Sequence, residues 1–114
     1  MRTIIAGSRS VQEYKHVINA VAQADWVPTV ILSGTARGAD VLGELWAINN
    51  SVELEKYPAD WELYGKKAGF LRNVKMARHA DALIALWDGT SSGTAHMIDI
   101  ANDYNLDIYV HMVE

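Results

Sequence analysis

The sequence predicts a three-layer α/β domain of the Rossmann-like type, in which helices flank a mostly parallel sheet of about five strands. Short apolar runs alternate along the chain with longer segments whose apolar residues have helical spacing. The connections between successive runs are long enough to hold a helix, which favours right-handed crossovers and parallel strands. The chain has 114 residues and no linker or low-complexity stretch, so we expect residues 1–114 to form one domain.

The first half of the chain supplies two strand–helix units. Residues 3–6 form the first predicted strand, and the apolar spacing over 11–24 predicts the helix that follows. Ser10 is the expected N-cap of this helix because its hydroxyl can accept a hydrogen bond from a first-turn N–H group. The apolar run at 30–32 predicts the second strand, and 41–49 is the second predicted helix.

The second half continues the alternation. Residues 52–57 alternate between apolar and polar types, which is typical of a strand near the edge of a sheet. The nearly continuous apolar run at 82–87 indicates a strand that is buried on both faces. The remaining predicted elements are a loop at 58–61, a helix at 66–79, a helix that follows residue 94 and ends near 104, and a last strand at 108–113.

Composition limits the classes of function. With 50% hydrophobic and 21% charged residues, the chain resembles ordinary globular proteins, and the absence of cysteine excludes disulfides and thiolate metal sites. The first apolar run is too short for a signal peptide or a membrane span, so we expect a cytoplasmic protein with no membrane partner. The net charge of −4 disfavours nucleic acid as a partner, whereas a few local arginines suffice to bind a small anion.

Three loops rich in Gly, Ser and Thr follow the first, second and fourth predicted strands, at 7–10, 33–40 and 88–94. In an open parallel sheet these loops lie at the same edge, where ligands bind. Each loop precedes a helix, and the N–H groups at a helix N-terminus bind phosphate. The sequence therefore predicts a site for a small phosphorylated nucleoside-type ligand.

The loop after the first strand offers three candidate ligand-binding residues. Gly7 lets a ligand approach the backbone, Ser8 can donate a hydroxyl proton, and Arg9 can form a forked contact with phosphate. A plain turn with an exposed arginine is an equally good interpretation of this loop alone.

The loop after the second strand offers a larger set. Its glycines allow a tight backbone, and its hydroxyls can donate to a ligand. Arg37 either binds the ligand or pairs with Asp40, and Asp40 is the expected N-cap of the next helix. The candidate ligand-binding residues here are Ser33, Gly34, Thr35, Arg37, Gly38 and Asp40.

The loop after the fourth strand is the best candidate phosphate cradle, since hydroxyls and glycines open a helix directly after a buried strand. The alternative is a solvated turn in which Thr94 serves as the cap. Its candidate ligand-binding residues are Asp88, Gly89, Ser91, Ser92, Gly93 and Thr94.

Further candidates lie on and before the helix at 66–79. Arg72 would ordinarily be a surface residue, and Asn73 is a weak helix former whose mid-helix position invites a functional explanation. Trp61, like Tyr64, can stack on a base, although packing is the more common role of each taken alone. Trp46 and Trp87 are expected in the core or in subunit contacts.

The sequence gives no support for a metal or a bound cofactor. The four histidines lack metal-ligand spacing, and only His96 lies near the predicted site. The dinucleotide fingerprint GxGxxG and the P-loop are both absent, so nicotinamide redox chemistry and ATP hydrolysis have no motif.

Several short motifs taken together resemble the small YspA/YpsA-related branch of the SLOG superfamily. They are Ser33-Gly34-x-Ala36-Arg37-Gly38-Ala39-Asp40, Pro58-Ala59-Asp60-Trp61, Gly69-x-x-Arg72-Asn73-x-x-Met76-Ala77, Ala80-Asp81-x-Leu83-Ile84-Ala85-Leu86 and Ser92-Gly93-Thr94. The resemblance implies a Rossmann-like domain that binds a nucleotide or a nucleotide-derived ligand, and it implies self-association into a dimer or larger homo-oligomer.

The chain is similar at a greater distance to the LOG phosphoribohydrolases, which cleave the N-glycosidic bond of nucleoside monophosphates. Arg72 falls on the arginine of that family, but Met97 falls on its catalytic glutamate. Cleavage through an oxocarbenium-like species needs a carboxylate, which methionine cannot supply. If the chain is an enzyme, the candidate catalytic residues are therefore Arg72 and Asp88, with Asp99 expected farther along the helix.

The leading hypothesis from the sequence is a module that senses or sequesters a nucleotide-derived ligand, such as an ADP-ribose-like molecule or a nucleoside phosphate. One alternative is a nucleotide N-glycosidase with an altered carboxylate. Others are a single-stranded DNA-binding module similar to that of DprA, and a scaffold whose loops no longer bind a ligand.

Overall fold

The computed structural model describes residues 1–113. Its strands and helices alternate along the chain, as the sequence predicts. The strands are β1 (Arg2–Gly7), β2 (Val30–Ser33), β3 (Glu53–Lys56), β4 (Ala82–Trp87) and β5 (Asp107–Met112). The helices are α1 (Lys15–Gln23), α2 (Ala39–Asn49), α3 (Trp61–Tyr64), α4 (Ala68–Arg78) and α5 (Ser92–Asp103), and a 3-10 turn, Gly65–Lys67, precedes α4.

All five strands pair in parallel in the order β3-β2-β1-β4-β5. The central strands β1 and β4 are almost fully buried, which explains their continuous apolar runs. Their successive side chains point to opposite faces of the sheet. The three-layer α/β fold and the parallel sheet are therefore confirmed.

Helices cover both faces of this sheet. On one face α1 and α2 pack over Ile5 and Ile84, and on the other α4 and α5 pack over Ile4 and Leu83. Each pair of helices therefore forms an apolar cluster with the sheet face that it covers, and the sheet lies between the two pairs of helices. No helix in residues 1–113 has the length and apolar character needed to cross a bilayer.

The order of the strands determines where the chain leaves room for a ligand. From β1 the chain moves outward through β2 and β3 on one side, and then crosses by way of α4 to β4 and β5 on the other. The segments after β1 and β4 therefore diverge at the carboxyl edge of the sheet. Such a switch point leaves a crevice that is open to ligands.

The expected N-terminus of the first helix is wrong. Helix α1 begins at Lys15 rather than at residue 11, and Tyr14, not Ser10, occupies the N-cap position without a side-chain hydrogen bond. Val11 is buried, and its N–H group donates to the carbonyl of Ser8 at 3.2 Å. The apolar residue that suggested helix thus belongs to a turn packed against the core.

Asp40 is not an N-cap. Gly38 occupies that position before α2, at a φ of 78° that favours glycine. A Cβ atom on Gly38 would lie 2.5 Å from the Ser8 carbonyl oxygen. The chain therefore turns earlier than the sequence suggests, and Asp40 lies in the first turn with its side chain buried.

The segment between β3 and α4 contains a short helix that the sequence analysis missed. Asp60 caps α3 by accepting a hydrogen bond from the Leu63 N–H group at 3.1 Å. Gly65, at a φ of 57°, separates α3 from the helix that follows. The predicted loop at 58–61 therefore ends in a helical turn, and α4 begins at Ala68 rather than at 66.

Candidate functional site

A cavity of about 480 Å³ opens at the switch point between β1 and β4, a volume typical of small-molecule sites. The loop after β1, the first turn of α5 and one side of α4 line it. It brings together most of the residues that the sequence singles out: Gly7, Ser8, Arg9, Asp40, Trp61, Arg72, Asn73, Asp88, Ser91, Ser92, Gly93 and Thr94.

The loop after β1 is held tightly against β4. A Cβ atom on Gly7 would lie 2.1 Å from the Leu86 carbonyl oxygen, so only glycine fits there. The Ser8 N–H group donates to the same carbonyl at 2.9 Å, and its hydroxyl oxygen accepts from the Asp88 N–H group at 3.2 Å. Ser8 thus joins the two loops, while the exposed Arg9 lines the cavity rim.

Asp88 shapes the loop after β4. One carboxylate oxygen accepts hydrogen bonds from the N–H groups of Thr90 at 2.9 Å and Ser91 at 2.8 Å. These bonds hold the pKa of Asp88 below its usual range. Asp88 therefore organises the loop through its carboxylate. The turn residue Gly89 has a φ of 85° and lies outside the cavity.

The loop presents the N-terminus of α5 to the cavity. Ser91 occupies the N-cap position, so Thr94 is not the cap; its hydroxyl donates to that of Ser91 at 3.3 Å. Within the described chain, the N–H groups of Ser92, Gly93 and Thr94 have no acceptor. The three residues that carry these donors, at the positive end of a helix dipole, line the cavity.

The loop after β2 contributes mainly to a second cavity of about 410 Å³. Gly34, Thr35 and Arg37 line this neighbour, which shares Arg9, Ala36, Trp61 and Arg72 with the larger cavity. Ser33 is buried instead, and its hydroxyl donates to Glu44 at 2.6 Å. Ser33 and Gly38 thus shape the loop and line neither cavity.

Arg72 and Asp40 lie on either side of Gly34. The Arg72 guanidinium donates to the Gly34 carbonyl, and the Asp40 carboxylate accepts from the Ala36 N–H group at 3.1 Å. A Cβ atom on Gly34 would lie 2.7 Å from the Arg72 Nη1 atom and 2.8 Å from the Asp40 Oδ2 atom. Pairing of Arg37 with Asp40, one of the two predicted roles of Arg37, is absent from the described residues. The positive charge of Arg72 lowers the pKa of Asp40 more than that of Arg9 does.

Burial dominates the electrostatics of this pair. The side chain of Asp40 is buried, with 5% of the residue exposed, and burial raises its pKa from 3.8 to about 6 despite the opposing hydrogen bond and Arg72 charge. Burial also lowers the pKa of Arg72. A titratable carboxylate thus lies in the wall of a cavity that is otherwise rich in donors.

Asn73 positions Arg72. Its side-chain oxygen accepts from the Arg72 Nε atom at 3.0 Å, and its nitrogen lies 3.1 Å from His96 Nδ1. The His96 ring packs against the Phe70 ring at a tilt of 33°, with centroids 4.2 Å apart. This chain of contacts holds the guanidinium, and it explains an asparagine in the middle of a helix.

One side of α4 and the preceding turn also line the cavity, which was not predicted from the sequence. Residues at helical spacing line the cavity, and that spacing is the signal that could have identified them. The missed lining residues of this segment are Lys66, Gly69, Phe70 and Met76.

Comparisons with known proteins give the family of the chain. The sequence model of the YspA, cpYpsA-related SLOG family matches residues 1–64. The chain belongs to this SLOG family. The gene 61 protein of Mycobacterium phage D29 is 39% identical over 104 residues, which cover 83% of each chain.

Among solved structures, the DNA processing protein A (DprA) of Streptococcus pneumoniae is similar to this SLOG chain. The TM-score is 0.75 over 96% of the chain, at 17% sequence identity. The chain spans about half of that protein, 49% of its length, and the likeness shows the fold alone. The resemblance to SLOG proteins noted in the sequence is confirmed.

Two positions bear on chemistry in this SLOG chain. Met97, which falls on the glutamate position of the LOG enzymes, lies in the cavity wall and is buried. Asp99 is exposed and lies outside the cavity. With Asp88 engaged in the loop, Asp40 is the buried carboxylate that faces the cavity.

The aromatic side chains divide into two groups. Trp46 packs against the α1–α2 cluster, and the Trp87 indole donates to the Ser91 carbonyl at 3.1 Å. Trp61 is 53% exposed at the rim that the two cavities share, whereas Tyr64 lines neither of them. Trp61 and Phe70 are thus the aromatic surfaces available to a ligand.

Proposed function

We propose that this protein binds a nucleotide or a nucleotide-derived ligand, either an ADP-ribose-like molecule or a nucleoside phosphate, and acts as a sensor or sequestering module. One observation carries the proposal: Ser92, Gly93 and Thr94, whose N–H groups have no acceptor in the described residues, line the same cavity as Arg9 and Arg72. The family assignment supports a nucleotide-related ligand.

The phosphate belongs at the N-terminus of α5. A phosphate oxygen can accept from these backbone N–H groups without displacing an acceptor of the described chain, and the helix dipole favours its charge. Arg9 forms no ion pair within the described residues, so its guanidinium is free to contact the same anion.

The base belongs toward the aromatic rim. Trp61 and Phe70 expose large aromatic faces at the edge of the cavity. Stacking of a base on an aromatic side chain is worth about 1–3 kcal/mol and tolerates any base. These faces lie in the same cavity as the phosphate donors, which suits a ligand that carries both groups.

Isothermal titration calorimetry with inorganic phosphate, AMP, ADP and ADP-ribose tests the proposal. We expect heat and saturation with at least one phosphorylated nucleoside, and weaker binding of phosphate alone. Arg9→Ala should weaken that binding, while Arg78→Ala, at an exposed position at the far end of α4, should not. No binding by any of these compounds would overturn the proposal.

Hydrolysis of the N-glycosidic bond is the second candidate function. Asp40 favours it, because a buried carboxylate whose pKa is raised to about 6 can accept a proton from water. Incubation with nucleoside monophosphates followed by chromatography would reveal free base. Release that Asp40→Asn abolishes would make the protein an enzyme, and its absence with retained binding would leave a binding module.

The same titrations distinguish the remaining alternatives, a DNA-binding module and a scaffold. The structural neighbour DprA is a DNA processing protein, so a single-stranded oligonucleotide is a necessary competitor. We expect it to bind more weakly than the small ligands, because the net charge of −4 repels a polyanion. A scaffold would bind none of these molecules.

Self-association is part of the proposal. Val41, Leu45 and Ile48 are exposed along one side of α2, and apolar patches of this kind are common in subunit contacts. Light scattering on the purified chain measures its mass directly, and a monomer at micromolar concentration would contradict this part. The cytoplasmic location likewise remains a prediction.

A further inference from the structure

The second cavity carries an excess of positive charge. Three of the five arginines of the chain, Arg9, Arg37 and Arg72, line it, and none of its lining residues is acidic. The chain as a whole has a net charge of −4, so this concentration of cations is opposite in sign to the molecule that carries it. A cleft lined by charges of one sign attracts ions of the other sign.

The arginines of the second cavity are not neutralised by acidic partners in its lining. Neither Arg9 nor Arg37 forms an ion pair within residues 1–113, and both residues are exposed. Arg72 is half-buried, and its guanidinium donates to the carbonyl of Gly34, an uncharged acceptor on a residue of the same lining. The second cavity is therefore suited to an anion that comes from outside the chain.

Arg9 and Arg72 are close enough for their charges to interact. Burial is the main cause that lowers the pKa of Arg72; the charge of Asp40 opposes this change, and the charge of Arg9 adds to it. Like charges at such a separation repel each other, and a bound anion relieves the repulsion. Both arginines line both cavities, whereas Asp40 lines the larger one alone. An anion in the second cavity thus gains from both arginines on the side that lacks the carboxylate.

We propose that the second cavity binds a second phosphate group of the ligand, so that the protein prefers nucleotides with two phosphate groups to nucleoside monophosphates. This inference rests on the proposed function and gives the number of phosphate groups of its ligand. Arg37 lines the second cavity and not the larger one, so it is the arginine specific to the second phosphate. Its planar guanidinium can donate to two oxygens of one phosphate.

The test varies the phosphate groups on one nucleoside. The two groups are joined directly in ADP and lie on different sugar carbons in adenosine 3′,5′-bisphosphate, whereas AMP has one. By calorimetry we expect at least one of the first two to bind about tenfold or more tightly than AMP, as for other hydrogen bonds between charged groups. The tighter of the two identifies the arrangement that the cavities accept. Equal affinities for all three would overturn the inference and leave the proposed function intact.

Matched variants assign the preference to the second cavity. Arg37→Ala should weaken the nucleotide with two phosphates and so reduce its preference over AMP to near onefold. Arg78→Ala removes the same charge at an exposed position outside both cavities and should keep the preference. A preference that survives Arg37→Ala, or that both variants reduce equally, would also overturn the inference. Binding of no nucleotide at all would overturn it together with the proposed function.

Discussion

The hydroxyl oxygen of Ser8 accepts a hydrogen bond from the Asp88 N–H group at 3.2 Å, and this bond joins the two loops that form the crevice. The loops follow β1 and β4, the adjacent central strands from which the chain turns to opposite sides of the sheet. The crevice therefore depends on a contact between residues that are distant in sequence but neighbours in the sheet.

Ser8→Ala should loosen this crevice. The Asp88 N–H group would lose its acceptor, which costs about 1–2 kcal/mol in the free energy of unfolding. Urea denaturation measures that change, and Ser10→Ala, at an exposed position on the same loop, is the control. Equal stability of the two variants would show that the bond does not hold the loops.

Arg72→Ala should weaken nucleotide binding by about 1.5–3 kcal/mol, the usual contribution of a hydrogen bond to a charged group. Calorimetry with the nucleotide that binds the wild-type protein gives this value. Arg78→Ala serves as the control on the same helix, where the side chain is exposed. An unchanged affinity of the Arg72 variant would remove Arg72 from the site.

Asp40→Asn should stabilise the protein at neutral and higher pH. The pKa of Asp40 is raised to about 6 in the folded state, so the folded protein binds the proton more tightly than the unfolded chain does. Its contribution to stability is full below the unfolded value of 3.8 and is lost as the pH rises through about 6.

The predicted gain for this variant is about 1–3 kcal/mol near neutral pH, because one pKa unit corresponds to about 1.4 kcal/mol. It should shrink to nothing at about pH 3, below the unfolded value of 3.8, where the carboxyl is protonated in both the folded and the unfolded state. Denaturant unfolding at both pH values measures it. A variant that is less stable at neutral pH would mean that the charge supports the fold.

Trp61→Ala should weaken the binding of nucleotides but not of inorganic phosphate, because the indole lies at the rim rather than at the N-terminus of α5. The expected loss is about 1–3 kcal/mol for one stacked base. Tyr64→Ala removes a neighbouring exposed aromatic that lines neither cavity, and it should change neither affinity. Equal losses for phosphate and nucleotide would argue against stacking.

The sequence predicts the fold and the edge of the sheet that carries the site because both follow from local patterns. The buried strand β4 appears as an unbroken apolar run, and the loops after β1 and β4 are visible as clusters of small residues. In a parallel sheet, strand order and crossover direction then place those loops together.

The partners of individual side chains could not be predicted, because they depend on packing between distant segments. Arg72 reaches the Gly34 carbonyl, and Asn73 reaches His96, across separate elements. No local pattern encodes that Asp40 turns inward rather than capping α2. By contrast, the hydrogen bonds that Asp88 accepts from Thr90 and Asp60 accepts from Leu63 are local, and their spacing is visible in the sequence.

The most direct test of the central claim follows the backbone amide signals by two-dimensional nitrogen–proton NMR while a phosphorylated nucleoside is added. We expect Ser92, Gly93 and Thr94 to show the largest changes, together with the loop at 7–10, and the remote turn at Asn105 to show none. Saturable binding whose largest changes fall at Asn105 or elsewhere away from the crevice would contradict it, as would a spectrum that no nucleotide changes.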